Sequence, residues 1–240
     1  MKDLFGKAIL DYQTGNNPEN LITETSISEA DEMSVAYLFR SYKDMPAIEQ
    51  KALSLARGIV LDVGCGAGSH SLYLQNEMKL DVTGIDISEN AIKACKLRGI
   101  KKARTVDVMT IENETYDTLL LLMNGAGMCG KLKKISTFLE HLKTLINPDG
   151  QILLDSSDII YMFDEDEDGG KWIPGDTDYY GEVIFDISYK GEHEKPFNWM
   201  YIDYNTLQNA AIACGFSCEL VMEGEHYDYL ARLTVQQDSI

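Results

Sequence analysis

A five-residue apolar run, Ile59–Val63, leads directly into Gly64-Cys65-Gly66-Ala67-Gly68. Three glycines in five positions let the main chain take backbone angles that side chains forbid and come close to a ligand. Residues 69–78 then read as a helix, whose free N–H groups and positive dipole end would face that ligand. Strand, glycine turn and helix in this order open a doubly wound α/β sheet, and they constrain the rest of the chain more than any other feature.

The pattern continues downstream. Short apolar runs suited to buried parallel strands recur at 81–87, 103–106, 118–123 and 151–155. Between them, Ser88 caps a helix carrying Ala91, Ile92 and Cys95, and 131–146 reads as a long amphipathic helix with Ile135, Phe138, Leu142 and Leu145 on one face. Asn147-Pro148-Asp149-Gly150 reads as a turn. Five βα units in tandem predict an α/β fold with a mostly parallel sheet and right-handed crossovers. After the fifth strand the character changes. An acidic loop at 164–168 precedes an antiparallel insertion with strands at 181–191 and 197–203, then a helix at 206–214 and strands at 217–222 and 229–235. Upstream, 1–27 reads as a polar arm. Ser28 reads as the cap of a helix running to Arg40, with Glu29, Asp31 and Glu32 in its first turn, and a second helix opens after Pro46. The expected division is an N-terminal arm and helices covering the site, 1–57, and a main domain, 58–240, with a substrate-side insertion at about 159–204.

In open parallel sheets ligands bind beyond the carboxyl ends of the strands, where strand order switches. Polar groups stand at four successive strand ends: Asp62 before the glycines, Asp86, Asp107, and Asn124. Asp86 is placed to accept hydrogen bonds from a ribose diol, Asp107 or its backbone to meet the exocyclic amine of an adenine, and Asp62 to face an ammonium. The helix start after Gly68 suits a carboxylate. A ligand with carboxylate, ammonium, ribose and adenine together is an amino-acid nucleoside.

The stretches VLDVGCGAG, VTGIDIS, TVDVMT, YDTLLLLMNG and LINPDGQILLD together resemble the class I S-adenosylmethionine-dependent methyltransferases, well over 59–156 and loosely over the last helix and two strands. The resemblance implies a seven-stranded, Rossmann-like methyltransferase sheet ending in an antiparallel hairpin. It also implies S-adenosylmethionine as cofactor, with S-adenosylhomocysteine as product, and methyl transfer to a small-molecule acceptor. By the same resemblance Gly64, Cys65, Gly66 and Gly68 form the turn around the methionyl and ribose parts. Asp86 and Ile87 would then meet the ribose side, Asp107 and Val108 the adenine, Asp62 the methionyl ammonium, and Asn124 the sulfonium end.

A nicotinamide oxidoreductase is the rival on the same fold, but its GxGxxG fingerprint wants a small third residue at 69, which is Ser here. A protein or RNA methyltransferase and a non-catalytic binding protein also stay open. The stretch after the fourth strand, Asn124-Gly125-Ala126-Gly127, lacks the Pro-Pro-aromatic motif of enzymes that methylate amino groups of nucleic-acid bases. With 21 basic against 39 acidic residues and a net charge of −18, the chain has no basic footprint for nucleic acid or an anionic membrane. Lys93, Lys96, Arg98, Lys101, Lys102 and Arg104 cluster locally, and a solvated helix surface accounts for them. Five scattered cysteines without a CxxC pair read as reduced thiols of a cytoplasmic protein. No spacing calls for a metal, and DEDEDGG lacks the ligand pattern of a calcium loop. Its charge would favour a cationic or amine-bearing acceptor. Among the histidines, His70, in the first turn after the glycines, is the candidate general base, with a pocket-wall role as its alternative. The acceptor's identity and the oligomeric state are left open.

Overall fold

The computed structural model describes residues 2–173, 175 and 177–236. In chain order the elements are α1 (Leu4–Thr14), β1 (Leu21–Thr25), β2 (Ser28–Met33), α2 (Ala47–Leu55), β3 (Ile59–Val63), α3 (Ser69–Asn76), β4 (Asp81–Asp86), α4 (Glu89–Leu97), β5 (Ala103–Thr105), β6 (Tyr116–Leu121), α5 (Ile135–Thr144) and β7 (Ile146–Ser157). They continue as β8 (Glu182–Tyr189), β9 (Glu192–His193), β10 (Phe197–Met200), α6 (Tyr204–Ala213), β11 (Phe216–Glu223) and β12 (Asp228–Val235).

Seven strands form the main sheet in the order β11-β12-β7-β6-β3-β4-β5. Those from β3 to β7 are parallel, while β12 runs antiparallel to β7 and β11 to β12. The apolar run of β6 follows from its central place. Leu119 and Leu121 meet Phe138, Leu139 and Leu142 of α5 on one face, and Leu120 meets Leu53 of α2 and Leu74 of α3 on the other. Strand order reverses between β3 and β6, and the carboxyl ends of these strands are where sheets of this kind bind ligands.

Several local expectations are corrected. The connection from β5 to β6 holds a single 3-10 turn, Val108–Thr110, where the third of the five expected βα units needed a helix. The predicted turn at 147–150 is a bulge inside β7, where the register steps from Tyr116↔Ile146 to Thr118↔Gln151. The long helix begins later, at Ile135, after a 3-10 turn at Leu132–Lys134.

The largest correction concerns the N-terminus. The arm 1–27 contains α1 and β1, and the helix expected from Ser28 is instead β2 followed by a 3-10 turn, Val35–Phe39. β1 pairs with β2 on one side and β8 on the other, and β8 pairs with β10, giving a second, antiparallel sheet β10-β8-β1-β2 with β9 against β8. The N-terminal segment and the insertion after β7 thus fold as one layer. The acids that resembled a helix start line an exposed edge strand, where charge discourages pairing with another chain. Among the described residues no helix is long and apolar enough to cross a membrane.

Candidate active site

The glycine turn between β3 and α3 has two open positions and one closed one. Gly64, Gly66 and Gly68 all have left-handed backbone, with φ of 70°, 52° and 80°. A Cβ on Gly64 would meet only Met128 Sδ at 3.5 Å, and one on Gly66 nothing nearer than 4.0 Å, so both face open space where a ligand's backbone approach is possible. A Cβ on Gly68 would stand 2.2 Å from Ile100 Cδ1 and 3.0 Å from Cys95 Sγ. Gly68 thus makes room for Cys95 of α4 and for Ile100 beyond its end. Gly68→Ala is expected to cost about 1–3 kcal/mol through overpacking and left-handed strain, read as a lowered midpoint in chemical denaturation.

Cys65 points into the same interior. Its Sγ lies 3.9 Å from that of Cys95, which in turn donates to the Gly66 carbonyl at 3.2 Å. The contact with Cys95 and burial both push the Cys65 thiol up, which removes it as a nucleophile.

Beneath the turn, Asp62 is 2% exposed and its Oδ2 accepts the Ser71 hydroxyl at 2.6 Å, tying the first turn of α3 to β3. Burial raises its pKa, opposed by the nearby His70 and by Ser71. His70 is buried beside Ser71 and contacts Glu49 Oε2 through Nε2 at 2.8 Å. The other Glu49 oxygen pairs with Arg40 Nη2, and both of those side chains are 4% exposed. Arg40 also donates through Nη1 to the Tyr37 carbonyl at 2.7 Å and stacks over the Tyr37 ring at 3.9 Å. Its Nε is buried and has no partner among the described residues. A buried guanidinium N–H without a protein acceptor suits a carboxylate ligand. Sequence reasoning missed Arg40 and Glu49. The available signal was the polar inward face of α2 and α3, where Glu49, His70, Ser71 and Gln75 occupy positions an ordinary helix gives to apolar residues.

On the β4 side, Asp86 accepts the Gly66 N–H at 2.9 Å and the Ser88 N–H at 2.8 Å. It thereby fixes the glycine turn, while burial raises its pKa against those two bonds. Ile87 beside it is 59% exposed, an apolar surface at the rim. Asp107 is exposed and caps the 3-10 turn through the Met109 N–H at 2.9 Å. The Val108 side chain enters the core, and its carbonyl is held by His141 Nε2 at 2.7 Å, a role no motif suggested for His141.

On the β6 side, Asn124 is braced rather than free. Its Oδ1 accepts the Ser156 hydroxyl at 2.7 Å and its Nδ2 donates to the Met200 carbonyl at 3.2 Å. Asp155, at the end of β7 and also missed, accepts the N–H groups of Met123 and Asn124 at 3.0 and 2.7 Å.

The acidic run forms its own closed turn. Asp166 Oδ1 accepts the Gly170 N–H at 2.7 Å, and Glu165 pairs with Lys171 at 2.8 Å. Most of the basic cluster is likewise engaged: Lys93 with Glu89, Lys102 with Asp81, and Arg104 with Glu114, while Arg98 turns inward to the Ala67 carbonyl.

A seven-stranded sheet with its last strands antiparallel, a glycine turn open to a ligand and an acid one strand over define a nucleoside-binding α/β enzyme. A family model described as a methyltransferase domain matches residues 60–150. The crystal structure of an S-adenosylmethionine-dependent methyltransferase from Bacteroides fragilis, in complex with S-adenosyl-L-homocysteine, is 46% identical, with 98% of this chain and 96% of that one covered at a TM-score of 0.90. Ubiquinone biosynthesis O-methyltransferase from Bordetella avium is 37% identical over 71 residues, which span 30% of this chain and only 29% of that enzyme. CalS10, an amino pentose methyltransferase from Micromonospora echinaspora, shares the fold at 15% identity and a TM-score of 0.57, with 83% of this chain and 93% of that one covered. The chain belongs to the S-adenosylmethionine-dependent methyltransferases.

Proposed function

We propose that this methyltransferase acts on a small-molecule acceptor bearing an amine or another cationic group. The observation that carries the acceptor reading is Asp158, at the exit of β7. Its Oδ1 accepts the Tyr180 hydroxyl at 2.8 Å and the Ile160 N–H at 2.9 Å. Its own N–H donates to the carbonyl of Tyr227, whose ring stacks on that of Tyr161 at 4.7 Å, and both rings are exposed. A carboxylate among tyrosine rings recognises an ammonium by charge and by cation–π contact. The acidic run 164–168 adds to the negative field. On this reading the second sheet, in which β1 and β2 join the insertion through β8, covers the mouth, while α2 belongs to the layer packed on the main sheet.

The residues present fit the methyl donor. Gly64 and Gly66 leave the room its methionyl part needs, and Arg40 Nε offers the unpaired donor that a carboxylate takes. Asp62 supplies buried negative charge for the ammonium, Asp86 its remaining lone pairs for the ribose, and Ile87 with the backbone of Asp107 and Val108 an edge for the adenine. Bound there, S-adenosylmethionine supplies an electrophilic methyl on a sulfonium. The protein's share is to align the acceptor in line with that methyl and to exclude water. An amine acceptor must also lose a proton, and His70 is the candidate base. With Glu49 holding the Nε2 hydrogen, Nδ1 of the neutral ring is left as the acceptor.

Parallel calorimetric titrations with S-adenosylmethionine, S-adenosylhomocysteine and NAD test the cleft. Binding of the two adenosyl compounds without NAD is expected, and binding of NAD alone would return the reading to an oxidoreductase. An acceptor screen then compares amines with phenols and thiols by S-adenosylhomocysteine release. Turnover confined to phenols or thiols would sink the amine reading.

A further inference from the structure

The loop leaving β6 is held in an unfavourable shape. Met123 and Asn124 both have left-handed backbone, with φ of 64° and 60°, a conformation that costs a residue with a side chain free energy. Such a turn throws successive N–H groups to one side and makes a concave anion site. The chain fills it with its own carboxylate. Asp155 Oδ2 accepts the Met123 N–H at 3.0 Å, and Oδ1 accepts those of Asn124 at 2.7 Å and Gly125 at 3.4 Å. Through Asn124, the same turn is tied to Ser156 of β7 and to the Met200 carbonyl of β10. Asp155 is buried and no cation pairs with it among the described residues. A carboxylate compensated only by backbone N–H groups is a costly way to close a loop, and one that depends on its ionisation.

We propose that Asp155 is a positioning residue of the methyl-transfer site, whose ionised carboxylate holds the loop after β6 in the left-handed form that shapes the donor end of the cleft. The proposal rests on the reading that the methyl donor lies beside this loop. Burial pushes the carboxyl of Asp155 up to about 6 against its three N–H bonds, with the nearby Glu49 adding to the rise. Other groups facing the region are Glu49 of α2 with its partners Arg40 and His70, and the phenols of Tyr37 and Tyr229.

The test is calorimetric affinity for S-adenosylhomocysteine between pH 8 and 5, for the wild type, Asp155→Asn, the double variant Met123→Gly/Asp155→Asn, and Asp86→Ala. Wild-type affinity is expected to fall about tenfold from pH 7 to 5, as protonation of a group near pH 6 requires. Asp155→Asn should bind at least tenfold more weakly at pH 7.5 and lack that fall. Adding Met123→Gly should restore threefold or more, because glycine takes the left-handed form without the carboxylate. Asp155→Asn within twofold of wild type overturns the proposal, as does a pH-dependent fall that persists in it, which would belong to another carboxylate of the cleft such as Asp62 or Asp86, both raised by burial. If Asp155→Asn does not fold, a flat wild-type profile overturns it instead. Should Asp86→Ala also bind like wild type, the cofactor placement itself fails.

Discussion

Glu49→Ala is expected to lower the unfolding free energy by about 3–5 kcal/mol, the loss seen when one partner of a buried ion pair is removed. Among the described residues the carboxylate of Glu49 is the sole counter-charge that the Arg40 guanidinium touches, and both side chains lie almost wholly out of water. Without it, Arg40 keeps one carbonyl and one tyrosine ring as company for a full positive charge, with Nε already unpaired. His70 Nε2 loses its partner in the same step. Glu49→Gln preserves shape and one acceptor, so its loss should be smaller, about 1.5–3 kcal/mol. Chemical denaturation of the three proteins at pH 7 provides the comparison. A loss below about 1 kcal/mol, the range of exposed pairs, would mean that water reaches the triad.

The pH dependence of this difference has a definite sign. Burial alone would raise the Glu49 carboxyl, but the hydrogen bond and charge of His70 and the Arg40 guanidinium outweigh it and hold the group below its ordinary value of 4.5. A carboxylate with a depressed native pKa contributes stability above its unfolded pKa and loses it as pH falls through the native one. The gap between wild type and Glu49→Ala should therefore be full above about pH 4.5 and narrow in more acidic buffer. Asp155 acts in the opposite sense. Its raised native pKa means that protonation between about 6 and 3.8 favours the fold, so neutral pH keeps it ionised at a cost to stability.

The parallel half of the sheet was legible because its signals are local. Leu119, Leu120 and Leu121 are apolar in sequence because β6 is buried on both faces, and Ser88 caps α4 within three residues. The second sheet was not, because its elements are completed by distant partners. β1 is a strand largely because β8 pairs with it, Thr23 opposite Ile187. The N-terminus of α1 is capped by Glu194, which accepts the N–H groups of Lys2 and Leu4 from 192 and 190 positions away. β2, with Glu29, Asp31 and Glu32, has the composition of a helix start, and tertiary pairing overrides that local preference. The site divides the same way. The glycine turn and Asp86 belong to a contiguous pattern, whereas Arg40, Glu49 and Asp155 acquire their roles only when α2, β7 and the loop after β6 converge. Gly68 shows the limit of a motif, since one pattern of glycines covers two different physical needs.

Asp86→Ala is expected to weaken S-adenosylhomocysteine binding by about 1.5–3 kcal/mol, roughly 10- to 150-fold, the range for hydrogen bonds to a charged acceptor. Two mechanisms contribute, and they separate experimentally. Asp86 Oδ2 holds the Gly66 N–H and Oδ1 the Ser88 N–H, so its loss loosens the glycine turn from beneath. Each oxygen keeps a second lone pair, and those are the acceptors a ribose diol needs. The 2′-deoxy analogue of S-adenosylhomocysteine distinguishes the two. If Asp86 accepts from the ribose, the wild type should discriminate against the analogue, and Asp86→Ala should bind both compounds with nearly equal, weak affinity. If affinity drops but discrimination persists, Asp86 acts only by fixing Gly66, and the ribose lies elsewhere. Asp86→Asn sharpens the outcome, because its amide nitrogen cannot accept from the Gly66 or Ser88 N–H on the side it occupies. It keeps one of the two acceptors and the side-chain volume, so its loss should fall between wild type and Ala, and cavity formation is removed as an explanation for whatever it loses.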